Sequence, residues 1–533
     1  MAKKSLLTHD ELTELESTAL NDGLRYGLNS GVLREQGAIR LIGCGQAGTR
    51  MAAVFRKRPD WINSYRKDVY PVNAISFDSQ QESLGRIIPP SSQFQWPDDG
   101  TQSLGTSRSQ GSLKDSIVTH FSLRVPADLT GRQREPGELT DFLLENASVR
   151  EGYGGEIHSL DDELNAFWSV GVAGGAMAGG AGGLALDGRS AALWSLDERE
   201  EWLKRQEEGQ GQGLAQTYRE SIEQGLSSRE GYTLLTMASL DGGTGSGSSG
   251  VINGFIGKYT RPPHPLLRMT LGVFTREGSD DSIQRRTNRL VSLYYLLKNP
   301  RNTDGVILVD NSYIRRLNKL DDYDGLHDDE NAYLHKVLMP VFLAQLPAYT
   351  SAISEQLDVQ NIKNLLRTGG GNTTTGDAPE VIVACFSEQP EGGSLNIENM
   401  INNALANSTV PFLEQTGRSA LCVLSGSFTQ SVISNNRSEL NEFSDGTASR
   451  LVDRKIRDAN YLNWRSRFFL ANFDDMPGFR LTILISGCKV PDFESDLTEL
   501  ASTAYNSEWN VMEHQRLAES LRSMDEADVR LLG

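Results

Sequence analysis

The sequence predicts an α/β fold built on a Rossmann-like parallel sheet, and three observations carry that expectation. The apolar run Leu234-Leu235-Thr236-Met237-Ala238-Ser239-Leu240 has the length and character of a buried strand, and it runs straight into Asp241-Gly242-Gly243-Thr244-Gly245-Ser246-Gly247. A second apolar run, Ala38-Ile39-Arg40-Leu41-Ile42, leads into Gly43-Cys44-Gly45-Gln46-Ala47-Gly48. Helical text follows each glycine stretch, from near Thr49 and over Val251–Gly257. Strand, glycine turn and helix in that order make the crossover unit of a parallel sheet.

A glycine turn between a buried strand and a helix presents several backbone N–H groups at a helix N-terminus, where an anion binds. Glycine lets the backbone approach phosphate oxygens, and Thr244 and Ser246 offer hydroxyl donors. No Lys follows the glycines, so the turn is not a Walker A loop. A Gly/Ser stretch alone reads as a flexible linker, but the apolar text on both sides argues against that here. The spacing Gly43-x-Gly45-x-x-Gly48 is formally a dinucleotide fingerprint and keeps a Rossmann-type oxidoreductase as a remote alternative. That alternative needs an acid about 20 positions later. The next strand, Ala74-Ile75-Ser76-Phe77-Asp78, ends too late to supply it, and Gly242–Gly247 would have no task.

The chain has 533 residues, enough for more than one domain, and a net charge of −18, which argues against direct nucleic-acid binding. Its four cysteines (Cys44, Cys385, Cys422 and Cys488) are scattered in or beside apolar runs and fit free thiols in a reducing cytoplasm. The sequence offers no run of transmembrane length and no signal-peptide core, so a cytoplasmic location is expected.

Residues 8–28 read as an amphipathic helix within an N-terminal extension, 1–37. Residues 86–165 are rich in Ser, Gln, Pro, Asp and Gly and read as an insertion, partly loop. A strand at 167–172 leads into the glycine-rich run 173–183, and Glu198–Arg205 reads as a solvated helix face. Strands follow at Met269–Phe274 and Gly305–Val309, and then a helix from about Glu330 to Ser354, with Pro340 and Pro347 expected to kink it.

The order of these motifs resembles the tubulin/FtsZ superfamily over residues 38–80 and 167–490. Asp241–Gly247 is similar to the GGxTGxG signature that wraps the phosphates of GTP. Gly43, Cys44, Gly45, Gln46 and Ala47 resemble the first phosphate loop. Ser76-Phe77-Asp78 is an imperfect match to an Asn-Thr-Asp triplet near phosphate and Mg2+, so Asp78 is the candidate metal ligand. Gly182 and Gly183 close a run resembling the loop that senses the γ-phosphate. Thr275-Arg276-Glu277-Gly278 resembles the ribose-contacting loop. The family's Arg four residues past Glu277 is here Asp281, so Arg285 or Arg286 is expected to substitute. Asp310 and Asn311 fall where the family meets sugar and base, and Asn331 where an amide reads guanine.

The resemblance further implies a shared catalytic site. Gln356-Leu357-Asp358-Val359-Gln360-Asn361 resembles the loop Asn-x-Asp-x-x-Asp, which enters the next subunit's pocket and positions the attacking water. Asp358 takes the first acidic position, Asn361 the second and Gln356 the leading one. A second register uses Glu355 and Asp358 at the same spacing, but the first agrees with the apolar pattern of Ile362–Leu366. An Asn at the second position orients water without charge and puts fast hydrolysis in doubt.

The expected organisation is therefore a GTP-binding domain at 38–330, a core helix at 331–356, an α+β activation domain at 357–490 and an acidic helical tail at 491–533. The implied activity is a GTPase that binds GTP/GDP with Mg2+ and polymerises head to tail, with itself as partner, in division, shape or DNA segregation. An adaptor is expected at the tail or at the 86–165 insertion. A slowly hydrolysing nucleotide-binding scaffold of the same superfamily is the alternative.

Overall fold

The computed structural model describes residues 38–56, 72–78, 105–106, 118–122, 232–259, 266–276, 282–297, 302–320, 327–345, 357–366 and, with short gaps, 379–490, plus isolated residues within 59–62, 185–192 and 491–496. The expected N-terminal helix at 8–28 and most of the insertion and of the tail lie outside these residues.

Eleven described strands form one sheet in the order β10-β9-β11-β8-β7-β6-β5-β1-β2-β4-β3. They are β1 (Ala38–Cys44), β2 (Val72–Asp78), β3 (Gly105–Thr106), β4 (Val118–Ser122), β5 (Tyr232–Ser239), β6 (Leu266–Phe274), β7 (Gly305–Asp310), β8 (Glu380–Gln389), β9 (Ser419–Gly426), β10 (Arg465–Asn472) and β11 (Phe479–Ser486). From β8 through to β4 every pairing is parallel, while β11 runs antiparallel to both of its neighbours. The expected parallel sheet is therefore present. The strands of the second half continue it, because Gly305–Leu308 of β7 pairs with Glu380–Val383 of β8. The insertion at 86–165 supplies β3 and β4 at the sheet edge.

Ten helices are described: α1 (Gly45–Arg56), α2 (Thr244–Tyr259), α3 (Ile283–Leu297), α4 (Asn311–Asn318), α5 (Asp328–Leu343), α6 (Val359–Leu366), α7 (Ile397–Ala406), α8 (Gln430–Asn435), α9 (Arg437–Ser444) and α10 (Thr447–Ile456). They cover both faces of the sheet, and strand alternation divides the core accordingly. Val306 and Leu308 of β7 join Leu290, Ile401 and Val452 on one face. Ile307 and Val309 join Phe55, Leu338, Phe342 and Ile362 on the other.

Both glycine stretches are helical earlier than expected. α1 begins at Gly45 rather than near Thr49, and α2 at Thr244 rather than Val251. Hydroxyls fold back on the preceding turn at both starts: Thr49 Oγ1 donates to the Gly45 carbonyl at 2.8 Å, and Ser248 Oγ to the Thr244 carbonyl at 2.6 Å. α5 runs unbroken through Pro340, and Thr482 Oγ1 of β11 donates to the Val337 carbonyl beside it at 2.8 Å. Residues 346–356, the expected end of that helix, are outside the described part. The four cysteines are buried free thiols, and burial pushes those of Cys385, Cys422 and Cys488 up. Among the described residues no helix is long and apolar enough to cross a membrane.

Candidate functional site

β1 and β5 are adjacent and parallel, yet their helices leave to opposite faces. α1 packs Met51 and Phe55 into one core cluster, while α2 lies beside α3, whose Leu290 and Tyr295 belong to the other. In an open α/β sheet, the place where successive connections diverge leaves a crevice at the carboxyl ends of the strands. Here both glycine turns border that crevice.

The two turns touch through their backbones. A Cβ placed on Gly245 would lie 2.8 Å from the Cys44 carbonyl oxygen and 3.0 Å from that of Ser239. A Cβ on Gly45, whose φ is +69°, would lie 2.8 Å from the Gly245 nitrogen. Only glycine serves at such contacts. The N-termini of α1 and α2, each carrying the partial positive charge of a helix start, thus converge at the carboxyl ends of β1 and β5. Gln46, Ala47, Gly242 and Thr244 form the half-buried lip of the crevice. A Cβ on Gly242 would meet the Ser239 hydroxyl at an ordinary 3.8 Å, so this turn position, unlike Gly245, is not closed by its described neighbours.

Ser246 plays a different part from the ligand donor expected of it. It is buried, and its hydroxyl donates back to the carbonyls of Gly242 and Gly243. That hydroxyl sets the turn. Asp241 is also occupied within the fold: Oδ1 accepts from Arg289 Nε at 2.9 Å and Oδ2 from the Thr275 N–H at 2.7 Å, and its carbonyl accepts from Asn288 Nδ2 at 2.9 Å. Arg285 and Arg286 are half-buried; the arginine that reaches the turn is Arg289.

The sugar-and-base side is built by α4 and α5. Asp310 ends β7 and is the N-cap of α4: Oδ1 accepts from the Ser312 and Tyr313 N–H groups at 3.0 and 3.3 Å and from Ser312 Oγ at 2.6 Å. Its task in this arrangement is to start the helix. Asn311 follows, buried, with an Oδ1 that finds no hydrogen-bond partner among the described residues. A buried orphan acceptor of this kind suits the donors of a ligand. Asn331 is buried in the first turn of α5. Beside it, buried Glu330 accepts from Arg315 Nε at 2.7 Å. Burial pushes the Glu330 carboxyl up, but hydrogen bonds from His327, its own backbone N–H and Arg315 outweigh that and hold it below the usual carboxylate range.

Asp78 ends β2, one position beyond the Cys44–Phe77 pair, so its backbone stands at the same carboxyl edge. Among the described residues no three His, Cys, Asp or Glu side chains gather as a metal site. Gly182, Gly183, Glu277, Gln356 and Glu355 lie outside the described residues. Gly188, shortly after the expected γ-phosphate loop, packs on the signature turn: a Cβ there would lie 2.8 Å from Thr244 Cα.

Asp358 and Asn361 belong to the start of α6, a helix tied to the amino edge of the sheet. Asp358 is exposed just before α6, and Asn361 stands in the first turn of that helix. Two residues further on, Lys363 Nζ pairs with Asp304 Oδ1 at 3.6 Å, immediately before β7 begins. A parallel strand rises about 3.3 Å per residue, so the span of β7 puts on the order of 20 Å between this edge and the glycine turns.

No protein-family model and no curated protein matches the chain. Solved structures do. A CetZ structure from Methanosaeta thermophila aligns over 92% of this chain and 94% of its own, with 15% identity and a TM-score of 0.50. A GTPgS-bound protofilament of CetZ2 from Haloferax volcanii aligns over 92% and 99%, with 13% identity and a TM-score of 0.48. A GTPyS-form protofilament of TubZ from Bacillus thuringiensis aligns over 98% of both chains, with 14% identity and a TM-score of 0.45. The chain has the tubulin/FtsZ-like α/β fold.

Proposed function

We propose that this chain binds a guanine nucleotide in the crevice between β1 and β5 and assembles head to tail, so that Asp358 of one copy completes the site of the next. The observation that carries this reading is the placement of the two half-sites at opposite edges of the same parallel strands. The glycine turns stand at the carboxyl edge. Exposed Asp358 stands at the amino edge, anchored through Lys363 to Asp304. A surface used in this heterologous way generates an open filament.

In this reading the N–H groups at the starts of α1 and α2 hold the phosphates. Asn331 and the unsatisfied Asn311 Oδ1 take the base side. Asp78 would hold Mg2+, which would supply charge neutralisation at the phosphates. Asp358, with Gln356 and Asn361, would orient the water that attacks the γ-phosphorus. A neutral Asn361 in place of an acid favours slow turnover, so a long-lived, slowly hydrolysing filament is the second reading. The free thiols and the net charge fit a cytoplasmic protein.

Sedimentation with GTP, GDP and ATP, paired with phosphate release, tests this function. GTP-dependent pelleting with little pelleting in ATP is the expected result. A chain that binds no nucleotide and stays in the supernatant under every condition overturns it.

A further inference from the structure

A buried ionic chain connects the glycine turn to the chain's C-terminal segment. Arg289 on α3 is fully buried. Its Nε donates to Asp241 Oδ1 at 2.9 Å, its Nη1 to Asp496 Oδ2 at 3.1 Å and its Nη2 to the Thr275 carbonyl at 3.4 Å. The guanidinium carbon sits 4.6 Å from the centre of the Phe274 ring. Asp496 Oδ2 accepts a second arginine, Nη2 of Arg276, at 2.8 Å. Three residues earlier, Phe493 is fully buried, its ring 5.7 Å from that of Phe274 and 5.2 Å from the Arg276 guanidinium. Two carboxylates and two guanidiniums thus form a network that joins the first residue of the turn, the end of β6, the middle of α3 and a segment beyond the last strand.

The geometry points to a clamp. We propose that docking of Phe493 and Asp496 holds Arg289 in the orientation that fixes Asp241, so that docking of the C-terminal segment and binding of nucleotide at the turn stabilise each other. A planar guanidinium held through Nε and Nη1 by two carboxylates cannot rotate without breaking one of them. Withdrawing Asp496 takes from buried Arg289 a carboxylate that holds its Nη1, at a large cost in desolvation. The guanidinium then shifts, and Asp241 shifts with it. Asp241 in turn sets both the start of the glycine turn and the Thr275 N–H. Arg289 and Asp496 are positioning residues that act through Asp241. Because coupling between sites is reciprocal, a contact that pulls on the chain beyond Asp496 lowers nucleotide affinity, and bound nucleotide tightens the segment. This inference rests on the nucleotide reading above.

The test uses the full-length chain with GDP as the probe. Asp496→Asn is expected to weaken GDP binding on the order of tenfold and to speed amide exchange at Thr275. Arg276→Gln, which leaves Asp496 paired with Arg289, weakens binding less. In the wild type GDP slows exchange over residues 491–496; in Asp496→Asn it does not. Glu380→Gln breaks the buried pair with Arg418, 3.0 Å apart in the other half of the sheet, and lowers stability without changing GDP affinity. If Asp496→Asn does not fold, the GDP-dependent slowing at 491–496 in the wild type decides. Unchanged GDP affinity in folded Asp496→Asn, an equal loss in Glu380→Gln, or no slowing at 491–496 overturns the coupling alone. A wild-type chain that binds no GDP overturns the nucleotide reading and the coupling together.

Discussion

Lys363 Nζ stands 3.6 Å from Asp304 Oδ1, and this ion pair fastens α6 to the amino end of β7. Asp304 is fully buried; its Oδ2 also accepts from the Arg268 N–H at 2.7 Å, at the start of β6. α6 is therefore pinned to the rim opposite the glycine turns, with exposed Asp358 just before its first residue.

Gly242 and Gly245 are three residues apart and predict opposite outcomes. Gly245→Val drives a side chain into the Cys44 and Ser239 carbonyls. It should cost about 1–3 kcal/mol of stability and abolish nucleotide binding. Gly242→Ala meets nothing tighter than the Ser239 hydroxyl at 3.8 Å, so its stability should stay within about 0.5 kcal/mol of wild type, while nucleotide affinity falls as the methyl crowds a bound phosphate. Urea unfolding and nucleotide titration on both variants check this. Full affinity in Gly242→Ala removes the phosphates from the turn.

Asn331→Ala should narrow the preference for GTP over ATP by about 1–3 kcal/mol, the cost of unpaired buried donors on the base. Competition titration reads it directly. Equal wild-type affinities for GTP and ATP would refute base reading by this residue.

Glu330 predicts an acid limb in stability. Its folded pKa lies below the unfolded one, so the stability it contributes is complete above the usual carboxylate range and is lost as pH falls through the folded value. Arg315→Gln removes one of the groups that hold it down, so the loss should become smaller and finish at higher pH, nearer the unfolded value. The urea midpoint measured against pH in both proteins shows whether it does; superimposable acid limbs would contradict it.

Asn361→Asp restores a second acid three residues after Asp358. It should raise turnover where water orientation is limiting and leave nucleotide affinity unchanged. Single-turnover phosphate release in assembled protein is the measurement. A rate below wild type would mean that the added charge repels the γ-phosphate more than it helps the water.

Several features were legible because their causes are local. Leu234–Leu240 reads as a strand because a doubly covered parallel strand is apolar throughout, and it is β5 followed by the turn. The starts of α1 and α2 were misplaced because Gly and Ser have low helix propensity. Tertiary contact overrides that here: Gly48 and Gly247 are helical at points where a Cβ would strike the Met237 and Ala185 carbonyls. Asp310 followed by Ser312 carries an N-cap signal that the expected ligand role obscured. Arg289 was missed because its partners, Asp241 and Asp496, are remote in sequence. A charged residue just before the apolar run Leu290–Leu297 was the one available sign. β10 escaped because only Phe469–Ala471 of this edge strand is consistently buried.

The shared site is tested most directly by phosphate release per subunit across a concentration series, with wild type and Asp358→Ala side by side. Asp358 is exposed, so the variant should fold with stability within about 0.5 kcal/mol of wild type and bind nucleotide normally. The specific rate of the wild type should rise with concentration as junctions form, while that of Asp358→Ala stays low throughout. A constant specific rate, present equally in dilute monomer and untouched by Asp358→Ala, would show that one chain carries the complete site.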